Sequence, residues 1–88
     1  MSDLTFSSVV VFGLTAFVAP DMPAPTMPIR MQFLPAQELV HRCGFMRLGC
    51  TFVTKDRCDV WIIADVLDPR QRLEVTRHEL AHCSGWRH

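Results

Sequence analysis

Residues 78 to 88 read His-Glu-Leu-Ala-His-Cys-Ser-Gly-Trp-Arg-His, and the spacing of the first two histidines limits what this stretch can be. Four residues of α-helix turn through about 400°, so His78 and His82 stand one turn apart on one face of a helix. Their rings can then reach a common ion about 2.0–2.1 Å from each nitrogen. The flanking residues support the helix: Asp68 can cap its first turn, Pro69 suits the first helical position, and Gln71 falls where a capping box needs it. Gly85 supplies the left-handed residue that commonly ends a helix. The expected helix runs from Pro69 to about Cys83. Beyond it the Gly85 turn lets His88 come back as a third ligand. Glu79, about 100° round the helix from His78, stands where it can take a proton from a water on the metal. Three protein ligands leave a fourth position open, as in catalytic rather than structural zinc sites.

The bland alternative is a set of surface or core histidines on an amphipathic helix, and a bare His-Glu-x-x-His carries that risk. A glycine and a third histidine at the required offsets weaken it, and three of the four histidines of the chain fall in this stretch. The fourth, His41, reads as an exposed helix residue beside Arg42.

The whole His-Glu-x-x-His-x-x-Gly-x-x-His pattern resembles the zinc-binding signature of the metzincin metallopeptidases. From about Ile29 onward the chain also resembles small metallopeptidase-like proteins of phages, plasmids and proteobacteria, in which a cysteine-bearing hairpin precedes the His-Glu helix. The resemblance implies one zinc ion held by His78, His82 and His88, Glu79 as general base, and a peptide or protein substrate lying extended along an edge strand at Trp61 to Val66. Metzincins follow their third histidine with a methionine-containing turn. Here Met1, Met22, Met27, Met31 and Met46 all precede His78. The expectation is therefore a miniature relative, with weak catalysis, very small substrates or a partner chain completing the cleft. A non-catalytic zinc module and a truncated peptidase remnant are the competing readings.

Eighty-eight residues make one domain, and a chain this short often needs a metal or disulfides as extra cross-links. Ile29–Leu34 reads as a strand. Pro35 opens a short helix, with Leu39, Val40 and Cys43 on one side, that ends at Gly44. Cys50–Val53 and Asp59–Val66 read as an antiparallel hairpin around Thr54 to Arg57. The expected fold is a small α+β domain, strand, helix, hairpin, helix, over residues 29–88, with both helices covering the hairpin's apolar face and the zinc-binding helix last.

Residues 1–28 divide into an uncharged apolar run, Leu4 to Ala19, and a linker with Pro23, Pro25 and Pro28. The run can be an export signal, a membrane anchor or one or two buried strands, and export or anchoring weighs equally with a cytoplasmic location. Nine basic residues balance nine acidic ones without clustering, so nothing favours a nucleic-acid partner. The four cysteines lack C-x-x-C spacing. If oxidised, the favoured pairing is Cys50 with Cys58 across the hairpin and Cys43 with Cys83 between helices; buried free thiols are the alternative. Asp65, Asp68 and Glu74 are candidates to hold a ligand histidine through its second nitrogen.

Overall fold

The computed structural model describes residues 19–88 in full and, for the segment Leu4–Val9, the backbone. The elements in chain order are β1 (Leu4–Val9), β2 (Ile29–Leu34), α1 (Ala36–Cys43), β3 (Arg47–Val53), β4 (Cys58–Ile63) and α2 (Pro69–Cys83). This is the expected small α+β domain with the histidine-bearing helix at the C-terminal end. The strands form one sheet in the order β1-β3-β4-β2; β3 is antiparallel to both β1 and β4, while β2 runs parallel to β4. The rest of the apolar run, residues 10–18, lies outside the described residues, and with it the question of a signal or anchor. Among the described residues no helix is long and apolar enough to cross a membrane.

Register fixes which side chains share a face, because neighbours paired across a ladder point the same way. Val53 pairs with Cys58, Thr51 with Val60 and Gly49 with Ile62, so these six share one face. Cys50 and its partner Trp61 belong to the other. Helix α2 covers the first face, through the Cys58–Cys83 disulfide and the contact of Thr51 with Glu79. Helix α1 covers the second, through the Cys43–Cys50 disulfide and the Arg42 guanidinium 5.4 Å above the Trp61 ring. The hairpin is therefore sandwiched between the helices rather than covered on one face by both. That explains why β4 reads as an apolar run, Val60, Trp61, Ile62 and Ile63, without alternation: both of its faces are covered. Leu39 on the α1 side, and Val60, Ile62 and Val75 on the α2 side, belong to the buried apolar cluster.

The same register overturns the expected disulfide pairing. Cys50 and Cys58 lie on opposite faces of the hairpin, so each joins the helix on its own side. It also removes the expected edge at Trp61–Val66: the strand ends at Ile63, and β4 has a neighbour on both sides. The sheet's edges are β1 and β2. On α1, Leu39 is buried as expected, whereas Val40 faces solvent.

Helix α2 begins with the predicted capping box. The Gln71 backbone N–H donates to Asp68 Oδ1 at 2.8 Å, and the Asp68 N–H donates to Gln71 Oε1 at 2.9 Å. The proline-rich stretch before β2 lies against the far end of this helix, where Ser84 Oγ donates to the Pro23 carbonyl at 2.7 Å.

Candidate metal centre

Two residues after α2 ends, Gly85 turns the chain with φ 102°, a conformation that a side chain would disfavour. The Gly85 N–H donates to the His82 carbonyl at 3.0 Å and the Trp86 N–H to the Ala81 carbonyl at 3.1 Å. This folded-back end carries His88 to the two helical histidines. One ring nitrogen from each of His78, His82 and His88 lies within 4.8 Å of the others, so the three could hold a metal ion. His78 and His82 are 2% and 1% exposed, and His88 is open to solvent.

The His78 and His82 Nε2 atoms are 3.3 Å apart. A tetrahedral centre with bonds of about 2.0–2.1 Å needs its ligand nitrogens about 3.3–3.4 Å apart. This pair therefore already has the spacing of one edge of such a tetrahedron. The other ring nitrogen of His82, Nδ1, is 2.8 Å from the Trp86 carbonyl oxygen. A carbonyl only accepts, so Nδ1 carries the proton and the Nε2 lone pair is turned toward His78 and the ion position. Burial lowers the His82 pKa to about 4; the Trp86 carbonyl opposes that shift, and the neighbouring His78 and His88 add to it. At neutral pH His82 is thus uncharged, the form that binds a metal.

Glu79 projects toward the sheet and is fully buried. Thr51 Oγ1 sits 2.7 Å from Glu79 Oε1 and 3.0 Å from the Glu79 carbonyl, both acceptors for its hydroxyl. Gly49 makes room for it: a Cβ at Gly49 would stand 3.4 Å from Glu79 Cγ and 2.8 Å from the Trp61 carbonyl oxygen. The carboxyl group is therefore held in a slot between the helix and β3, one residue along the chain from His78.

Thr51, Gly49 and the Trp86 carbonyl were not picked out from the sequence. Two of them leave a signal there: a glycine inside a strand often marks a close approach, and a threonine in an apolar strand needs a partner. A backbone carbonyl leaves none. Of the residues considered for orienting a ligand, Asp68 caps the helix, Asp65 is exposed and Glu74 is half-buried. His41 is exposed on α1, on the face of the sheet away from the cluster. The Trp86 ring stacks on His82 at 5.0 Å and 13° and meets His78 edge-on, which makes it a wall of the cluster.

Compared with family models, with curated proteins and with solved structures, the chain gives no match. Its functional reading therefore rests on the chemistry of this centre.

Proposed function

We propose that this chain is a small zinc-dependent peptidase whose metal is held by His78, His82 and His88 and whose general base is Glu79. The observation that carries the reading is the convergence of three imidazole nitrogens within 4.8 Å, two of them already at tetrahedral spacing. An all-imidazole set suits zinc, and three protein ligands leave one position for a water or a substrate carbonyl. Zinc bound there would polarise the carbonyl and make a water acidic near neutral pH.

The chain's own residues supply the rest. The Trp86 carbonyl fixes the tautomer of His82 and so the direction of its lone pair. Thr51 fixes the rotamer of Glu79 and shares its carboxyl group, which limits how that group can swing. Glu79 accepts the proton from the attacking water and returns it to the departing amine.

A second reading, in which the metal only staples a small fold, draws support from the full burial of Glu79 and its anchorage to Thr51. Glu79→Gln separates the two. The peptidase reading expects zinc retained and hydrolysis of a mixed peptide library lost. Hydrolysis that survives in the variant would remove Glu79 from the mechanism, and a wild-type protein that binds zinc and cleaves nothing would leave the structural reading.

A further inference from the structure

Among the described residues, four aromatic rings meet at the metal centre, at nearly equal distances. The imidazole centroids of His78 and His82 are 4.9 Å apart, those of His78 and His88 5.1 Å and those of His82 and His88 4.8 Å. The Trp86 ring centroid is 5.0 Å from His78, 5.0 Å from His82 and 5.2 Å from His88. The indole therefore lies close to the common axis of the three histidines instead of beside one of them, within the separation of about 4.5–7 Å at which aromatic rings attract. Each imidazole meets it differently: His82 parallel at 13°, His78 edge-on at 81° and His88 tilted at 59°. One side chain thus limits how all three rings can turn.

We infer that the Trp86 indole is the positioning group of the metal centre: it packs the three imidazoles at four-coordinate spacing before an ion arrives, and so favours zinc over an ion that prefers six ligands or a square, such as nickel(II). This role rests on the three-histidine part of the peptidase reading and not on hydrolysis. The His78 and His82 Nε2 atoms are 3.3 Å apart, the tetrahedral value. Nitrogens at right angles, as in square or octahedral sets, would need about 2.8–3.0 Å at the same bond lengths. Passing from one spacing to the other requires His78 and His82 to turn, and both rings are buried with the indole against them. Rings that are held in place before binding also lose less freedom when the ion arrives, so the same packing contributes to affinity.

The test measures zinc(II) and nickel(II) affinity by chelator competition, and the visible absorption of bound cobalt(II), which is intense for four ligands and pale for six. It compares wild type with Trp86→Ala, Trp86→Leu and Trp86→Phe. The backbone carbonyl of residue 86 is present in every variant, so only the ring changes. Trp86 follows α2 and is half-buried, so the variants are expected to fold. Trp86→Ala should weaken zinc by about tenfold or more, the scale for removing a group that holds a ligand ring. It should also narrow the preference for zinc over nickel and turn the cobalt spectrum pale. Trp86→Phe should restore all three properties, and Trp86→Leu, apolar without a ring, should not. Equal losses for zinc and nickel with an unchanged cobalt spectrum reduce the indole to ordinary packing and overturn this role, as does a Trp86→Leu protein that behaves as wild type. Tighter zinc in Trp86→Ala also overturns it and makes the ring a cover over the fourth position. In each of these cases the three-histidine centre stands, whereas a wild-type chain that binds none of the three ions removes the centre and the role of Trp86 together.

Discussion

Replacing Thr51 by valine removes one hydroxyl and keeps the shape of the side chain, so it isolates the tie between Glu79 and the sheet. Both residues are fully buried, and the Oγ1–Oε1 separation of 2.7 Å is that of a well-formed O–H···O bond. A hydrogen bond between buried groups contributes about 0.5–1.5 kcal/mol net, and leaving its acceptor unsatisfied where water cannot replace the donor costs about 1–3 kcal/mol. Thr51→Val should therefore destabilise the protein by about 2 kcal/mol in urea unfolding. Thr51→Ser keeps the hydroxyl and loses one buried methyl, a cost of about 1 kcal/mol. The reasoning also predicts a separation of effects: zinc affinity measured by competition with a chelator should change little in either variant, because the Thr51 hydroxyl donates to Glu79 and not to one of the three clustered histidines. Thr51→Val as stable as Thr51→Ser would refute the claim that this hydrogen bond holds the carboxyl group.

At Gly49, alanine would place its Cβ 2.8 Å from the Trp61 carbonyl oxygen, and the paired strand has nowhere to retreat, so Gly49→Ala should cost about 1–3 kcal/mol by thermal unfolding. The Cys58–Cys83 bridge closes 25 residues and Cys43–Cys50 closes seven; loop-closure entropy then predicts losses of about 3.5 and 2.4 kcal/mol for the paired alanine variants, an order that denaturant curves can check. For the metal-free protein, the lowered pKa of His82 means that the unfolded chain takes up a proton near pH 6.5 while the folded chain resists until about 4. Stability should consequently be level above pH 7 and fall by on the order of 2–3 kcal/mol between about 6.5 and 4, and His82→Gln should lack that part of the fall.

The helix that carries the site was legible because its signals are local: the box of Asp68 and Gln71, Pro69 at the start and Gly85 at the end all act within one turn of the backbone. Ile29–Leu34 and the hairpin were legible for similar reasons. What the sequence hid depends on register. A shift of one residue between β3 and β4 would have moved Cys50 to the face of Cys58, and nothing in Thr54 to Arg57 reveals which register is taken. With the register unknown, the disulfide pairing, the two-sided burial of β4 and the contact of Thr51 with Glu79 were all out of reach. The clustering of His78, His82 and His88 needed no such knowledge, since helical spacing and one glycine turn bring them together, whereas the carbonyl that orients His82 belongs to the backbone of Trp86 and is independent of side-chain type.

The most direct test of the central claim is the zinc content per chain, measured by elemental analysis on wild type and His88→Ala purified without added metal. The account predicts one tightly held zinc ion per wild-type chain, and its loss or marked weakening in the variant. A wild-type protein that holds no zinc even after incubation with the metal, or a His88→Ala protein that holds it as tightly as wild type, would contradict the three-histidine centre.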